Sequence, residues 1–181
     1  MPRGPRVVAP ATTYHLTARG TGGEGIFRRD GDRQHFLQLL ELVVDRHRWA
    51  CLAYCLMTTH YHLVVETPEM DLDRGMHRLN GCYAQSFNRR YARFGHLFAE
   101  RFHSVRVSRD EHMLEVVRYV ALNPVRAGVC QSPGEYEWSS YRAAIGGVRP
   151  PKFLALDRLL SLFGRDPATA RLRLRRFVEE K

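Results

Sequence analysis

Two histidines stand two residues apart in Met57-Thr58-Thr59-His60-Tyr61-His62-Leu63-Val64-Val65-Glu66, inside an apolar run of strand character. On a strand this spacing turns both imidazoles to one face, with Val64 and Glu66, while Tyr61, Leu63 and Val65 take the other. Two nitrogen donors converge without help from a loop. Such a pair can hold a divalent metal and leave positions for a third ligand and a substrate oxygen. Alone, the pair would equally suit an ordinary exposed strand edge. A second constellation lies downstream in Arg118-Tyr119-Val120-Ala121-Leu122-Asn123-Pro124-Val125-Arg126-Ala127-Gly128, where helical periodicity sets a tyrosine and a carboxamide at i, i+4. A metal held by His60, His62 and the Asn123 side-chain oxygen could polarise a phosphodiester. Tyr119, one turn away, could then attack it, giving a phosphotyrosine and freeing one DNA end. A phenol of reference pKa about 10 needs metal charge or a general base for that step. Taken singly, Tyr119 would serve as a plain amphipathic-helix residue and Asn123 as a cap before proline. Neither reading accounts for their coincidence with the paired histidines.

The elements that must position these groups follow from the pattern. Thr12 to Ala18 reads as a strand ending at Arg19-Gly20, followed by a glycine-rich stretch, Thr21 to Gly25, and a short Ile26-Phe27 edge. The glycines lack the Gly-Lys-Ser/Thr ending of a phosphate-binding loop, so a hairpin turn is expected there. Phe36, Leu37, Leu39, Leu40, Val43 and Val44 recur at helical spacing between Asp32 and Arg48. Trp49 to Met57 and His60 to Glu66 form two strands about a Thr58-Thr59 turn, the first nearly all apolar and hence expected in the centre of the sheet. A helix over Asp71 to Tyr91 buries Leu72, Met76, Leu79, Tyr83 and Phe87. A strand over Arg101 to Val107 leads to Ser108-Arg109-Asp110-Glu111, a capping-box pattern, and to a helix with His112, Glu115, Tyr119 and Asn123 on one polar stripe, which Pro124 should stop. The predicted class is α+β, a ferredoxin-like antiparallel sheet with helices packed on it. Residues 1–150 would form the catalytic domain, and 151–181 a short Arg-rich helical C-terminal extension, with helices over Leu156 to Phe163 and Pro167 to Glu180.

The chain has 181 residues, enough for one domain with a real core, and a formal charge of +9 carried almost wholly by arginine, since its only lysines are Lys152 and Lys181. Arginine forks onto phosphate and stacks on bases, which favours a polyanionic partner. Arg74, Arg78, Arg89 and Arg90 share the outer face of the second helix, and the basic run continues through Arg93 and Arg101 among Tyr91, Phe94, Phe98 and Phe102. Interleaved basic and aromatic residues suit single-stranded nucleic acid. Cys51, Cys55, Cys82 and Cys130 form no Cys-X-X-Cys pair and read as free thiols in a reducing compartment. No apolar run is long enough to span a bilayer and no signal-peptide core is present, so a cytoplasmic protein without a membrane partner is expected.

The chain resembles the HUH-type single-strand DNA transposases, in particular the REP-associated tyrosine transposases. The similarity rests on Arg19-Gly20, Ala53-Tyr54-Cys55-Leu56-Met57, the His-X-His pair, Leu79-Asn80-Gly81-Cys82-Tyr83-Ala84, Gly95-His96-Leu97-Phe98, the block Tyr119 to Gly128, and Trp138-Ser139-Ser140-Tyr141. It implies metal-dependent cutting near hairpin DNA through a 5′-phosphotyrosine and rejoining of strands, with Tyr119 as nucleophile and His60, His62 and Asn123 as ligands. Two imidazoles lean toward softer ions while an amide oxygen and phosphate suit Mg²⁺ or Mn²⁺, and the resemblance favours Mg²⁺ or Mn²⁺. Arg19 and Arg126, within the shared blocks, join the arginines above as expected contacts to single-stranded or hairpin DNA, and a homodimer is compatible with the family. Thr58-Thr59 replaces the Pro-Asn of many relatives, and Thr21-Gly22-Gly23 replaces their Asn-containing turn. Neither change removes a proposed catalytic group. A rolling-circle initiator or relaxase would use the same chemistry, and a domesticated hairpin-binding protein would keep the site without turnover.

Overall fold

The computed structural model describes residues 11–107 and 110–180; the Ser108-Arg109 part of the predicted capping box lies outside them. Strand β1 (Thr12–Arg19), helix α1 (Asp30–His47), strands β2 (Ala50–Leu56) and β3 (His60–Thr67), helix α2 (Leu72–Arg90) and strand β4 (His103–Val107) follow one another as β-α-β-β-α-β. They form one sheet of order β2-β3-β1-β4 in which every neighbouring pair is antiparallel. This is the ferredoxin-like arrangement expected from the order of elements. Helices α3 (Asp110–Arg126), α4 (Tyr141–Ala144), α5 (Leu156–Ser161) and α6 (Pro167–Glu179) complete the chain. Among the described residues no helix is long and apolar enough to cross a membrane.

Strand alternation divides the apolar residues into two cores. On one face Leu16, Tyr61, Leu63 and Val65 pack against Phe36 and Leu40 of α1 and Met76, Leu79 and Tyr83 of α2. On the other, Ala53, Cys55 and Val64 meet Val116, Val117 and Val120 of α3, and Leu159, Ala170, Leu174 and Val178 of α5 and α6 join the same cluster. The α2 stripe expected from periodicity, Leu72, Met76, Leu79, Tyr83 and Phe87, is buried throughout. Burial pushes the Cys51 and Cys55 thiols up to about 12, as inert core residues should behave.

Four local expectations are corrected. The apolar β2 is an end strand rather than a central one. Its outer edge is closed by the Trp138-Ser139-Ser140 segment, where the Leu56 amide donates to the Trp138 carbonyl (2.9 Å) and the Ser140 amide to the Tyr54 carbonyl (3.0 Å), and by Ala155, whose amide donates to the Cys51 carbonyl (2.8 Å). A covered edge is as dry as a central strand, hence the apolar run. The glycine-rich stretch is no hairpin, because it joins β1 to α1 through a 3₁₀ turn at Thr21–Gly23, with Gly22 and Gly23 in the left-handed region. Ile26 and Phe27 form no strand; both amides donate to the Thr58 carbonyl and both side chains plug the first core.

Pro124 does not end α3, which runs on to Arg126. The termination signal is instead Gly128 at φ +68°. Its amide donates to the Val125 carbonyl (3.0 Å), and the Val129 amide to the Pro124 carbonyl (2.9 Å), the paired bonds of a Schellman turn. These closing bonds offset the one that proline cannot donate. Asn123 is therefore an interior helical residue and not a cap.

The α2 start is packed tightly. Asp71 accepts from the Trp49 indole (3.1 Å) and pairs with His47, and a methyl at Gly75 would run into the Trp49 ring. Gly75→Ala should therefore lower stability by about 1–3 kcal/mol, the cost of overpacking a dry contact. Gly81→Ala on the same helix would meet no neighbour within 4 Å and should raise it by up to about 1 kcal/mol through helix propensity. Thermal unfolding of the two variants should show shifts of opposite sign; equal shifts would contradict the packing described.

Candidate active site

The antiparallel register sets Arg19 opposite His60, Thr17 opposite His62 and His15 opposite Val64. These residues share the sheet face on which α3 lies, so the two histidines of β3 meet side chains from β1 and α3. Helix α3 brings Tyr119 and Asn123, one turn apart, onto the same spot. The sequence-predicted group His60, His62, Tyr119 and Asn123 is thus drawn together, and His15 joins it.

His62 is 2% exposed. Its Nδ1 lies 3.0 Å from His15 Nε2, and the two rings meet nearly coplanar, 5.2 Å between centroids and 24° from parallel. Its Nε2 is buried without a hydrogen-bond partner. His60 lies at right angles to His62, 5.0 Å between ring centroids. Its Nδ1 is 3.1 Å from Thr59 Oγ1, and it hydrogen-bonds with the Asn123 side chain. Tyr119 stands edge-on to His62 (5.4 Å) and to His15 (5.8 Å), and the Arg126 guanidinium sits 5.1 Å from the centre of its ring. At 37% exposure the phenol is reachable from solvent. Tyr61, the adjacent phenol, is fully buried on the opposite face with its hydroxyl donating to Asn80 (2.6 Å), and is shut off from any substrate.

Electrostatics keeps the imidazoles neutral. Burial, followed by the charges of His15, His60 and Arg19, pushes His62 down to about 2. Burial with His103 and His112 takes His15 to about 4. His60 is lowered by burial and by Arg19, with the Asn123 hydrogen bond opposing. A neutral imidazole keeps the lone pair that a metal needs. Among the described residues no group of three or more His, Cys, Asp and Glu is placed to hold a metal; beside the two imidazoles lies the Asn123 amide. An orphaned buried ring nitrogen, a second imidazole and an amide oxygen fit a divalent cation.

The arginines divide by location. Arg19 and Arg126 flank the site. Arg74 and Arg101 lie with His77, Asn80, His96 and Phe98 around a groove of about 900 Å³ between α2 and residues 95–102, on the other side of the sheet. That segment joins the end of β1, where the Ala99 amide donates to the Arg19 carbonyl (3.0 Å). Arg78 and Arg89 are exposed on α2. Arg90 is tied to Asp32 (2.6 Å) and Arg93 to Glu24 (2.8 Å). Burial by itself would raise the Asp32 carboxyl, but the Tyr91 hydroxyl, the Arg28 and Arg29 amides and Arg90 hold it below its ordinary value. His15 was not singled out by sequence reasoning. Strand alternation alone gives its parity with Thr17 and Thr13, but its meeting with His62 depends on how β1 registers against β3.

The family model described as IS200-like transposase matches residues 9–123. A search of curated proteins gives no significant match. Eight solved chains match significantly. One is the structure of a REP-associated tyrosine transposase bound to a REP hairpin, similar over 83% of this chain and 89% of that one, with a TM-score of 0.68 and 16% identity. At that identity the likeness is one of fold.

The neutral imidazoles have a measurable consequence. The folded values of His15 and His62 lie below the ordinary 6.5, so below about pH 6.5 the unfolded chain takes up protons that the folded one refuses. Stability of the metal-free protein should therefore fall as pH drops from about 6.5 to 5, with a slope of at most about 1.4 kcal/mol per pH unit for each group. Denaturant unfolding across that window should show the decline, and a His15→Phe/His62→Phe double variant should show a flatter profile. A wild-type stability that is level from pH 7 to 5 would contradict the burial of neutral rings.

Proposed function

As the chain belongs to the IS200-like transposase family, whose model covers residues 9–123, we propose that it is a metal-dependent transposase that cuts single-stranded DNA beside a hairpin through a 5′-phosphotyrosine and rejoins the strands. One observation carries this reading: the exposed Tyr119 phenol stands against His62, whose buried Nε2 has no partner within the protein. His60, His62 and Asn123 would hold Mg²⁺ or Mn²⁺. The ion would supply Lewis-acid polarisation of the phosphate and offset its charge.

The residues of the chain account for the remainder. The phenolic oxygen of Tyr119 gives up its proton and attacks phosphorus, the bond from phosphorus to O3′ breaks, and the released 3′-oxygen takes up a proton, so that the net proton transfer is from phenol to O3′. The DNA 5′ end stays on Tyr119 as a phosphodiester of similar energy to the one broken, and attack by another 3′-hydroxyl reverses the step. Arg126 packs against the Tyr119 ring and brings positive charge to the reacting phosphate. Arg19 offers a second cation beside His60. Arg74 and Arg78 near the start of α2, Arg89 and Arg90 at its end, and Arg93 and Arg101 beyond it would form the surface for the flanking DNA. The REP hairpin bound by the structural neighbour supports a hairpin ligand here.

The test of the chemistry is a labelled hairpin with a single-stranded flank, incubated with protein and Mg²⁺ or Mn²⁺ and resolved on a denaturing gel. Wild type should give cleaved product and a covalent adduct. Tyr119→Phe should abolish both while leaving hairpin affinity within about twofold, since it deletes one oxygen. An adduct persisting in Tyr119→Phe would move the nucleophile elsewhere, and tight hairpin binding by wild type without cleavage would favour a binding protein that retains the site.

The arginines generate a separate expectation. Each phosphate neutralised on a single strand contributes about −0.7 to the salt slope. Replacing Arg74 and Arg101 together by Ala should flatten that slope by about 1.4 on matched and scrambled hairpins alike. Replacing Arg90 should in addition lower the melting temperature, because Asp32 is 1% exposed and loses its ion partner. An unchanged slope in the Arg74/Arg101 variant would take the groove out of the binding surface.

A further inference from the structure

The His15 imidazole belongs to no part of the chemistry described above, yet it contacts both His62 and Tyr119. It reaches them diagonally. Thr17, not His15, faces His62 across the strand pair, and same-face diagonal neighbours in a sheet are within reach of ring side chains. A ring nitrogen can serve as a metal ligand only when it carries no proton, and a neutral imidazole carries its single proton on one nitrogen or the other. Which one is decided by the partner of the nitrogen turned away from the metal. At His62 that partner is neither the carboxylate nor the backbone carbonyl commonly found, but a second imidazole.

We propose that His15 is a positioning residue that accepts a hydrogen bond at Nε2 from the Nδ1–H of His62, and so fixes His62 in the tautomer whose Nε2 lone pair faces the ligand site. The proposal rests on the reading of His60, His62 and Asn123 as a metal site. Donation in that direction leaves the His15 proton on its own Nδ1. The nearly coplanar, nitrogen-to-nitrogen contact at 24° between planes and the edge-on contact with Tyr119 restrain the His15 ring in turn, so one residue sets both the protonation and the orientation of a ligand and buttresses the nucleophile.

The experiment combines ring-nitrogen NMR with metal titration. Long-range ¹H–¹⁵N spectra of metal-free wild type should show His62 protonated at Nδ1. His15→Leu removes the acceptor and should shift His62 toward the Nε2-protonated form, weakening Mn²⁺ affinity, measured by electron paramagnetic resonance, about 10- to 100-fold. His15→Gln, whose amide oxygen reaches the place of Nε2, should restore the wild-type tautomer and most of the affinity. His62→Ala serves as the reference for loss of the ligand itself. If His62→Ala loses Mn²⁺ binding while His15→Leu keeps wild-type affinity and tautomer, the metal-site reading stands and the role of His15 is overturned. If His60→Ala and His62→Ala both bind Mn²⁺ as wild type does, the metal-site reading fails and this inference with it. Should His15→Leu not fold, wild type alone decides: a His62 proton found on Nε2 overturns the proposal.

Discussion

Antiparallel pairing of β1 with β3 in a single register is the constraint on which the rest of the molecule turns. It sets Arg19 opposite His60 and Thr17 opposite His62, and by alternation it sends Tyr61, Leu63 and Val65 into the opposite core. A slip of one residue would exchange the two faces. Tyr61, Leu63 and Val65 are each fully buried, and apolar side chains of that kind are worth about 1.5–3 kcal/mol apiece relative to exposure. The hydrophobic face thus holds the register, and the register aims the imidazoles. The chemistry on one side of the sheet is positioned by packing on the other.

The helical layer on the site face has a different task, because it must both cover the sheet and leave the reacting groups reachable. Helix α3 does this along its length. Val116, Val117 and Val120 fill the second core, while Tyr119 stands at the rim and Asn123, one turn on, is buried at 8% exposure. Continuation of the helix through Pro124 matters here. A helix ended by proline would free the backbone around Asn123, whereas the observed turn at Gly128 keeps Tyr119 and Asn123 on one rigid stripe and places Arg126 over the phenol. His62 lies at 2% exposure, deeper than a ligand displayed on an open strand face would be, so it belongs to the packing of this layer as well as to the site.

Legibility from sequence followed the range of the interactions. Period-2 and period-3.6 patterns gave the order of strands and helices, and with it the ferredoxin-like sheet, because alternation and helical stripes are local. The His60/His62 face and the Tyr119/Asn123 spacing were legible for the same reason. What escaped depends on contacts between distant segments. β2 reads as central because Trp138, Ser140 and Ala155, far along the chain, seal its edge. The glycine-rich stretch reads as a hairpin turn because nothing local tells that Ile26 and Phe27 dock on Thr58. The proline signal at 124 is outweighed by a terminating glycine, Gly128, one turn later. His15 is the sharpest case, since its parity was available from alternation, and only the β1–β3 register brings it to His62.

The electrostatics of the site joins these observations. Burial drives the protons off His15, His60 and His62, and the positive charge of Arg19 reinforces burial at His60 and His62. In a chain of formal charge +9 such reinforcement is inexpensive, because an excess of fixed arginine charge penalises every additional proton near it. The same field favours an incoming phosphate, which is where a polyanion must be drawn if Tyr119 is to reach it. A carboxylate in place of the Asn123 amide would reverse part of this effect: it would raise the imidazoles by attraction and repel the phosphate. A neutral amide can donate an oxygen to a cation without doing either. Two neutral imidazoles and a neutral amide side by side therefore leave the positive surroundings of Tyr119 intact.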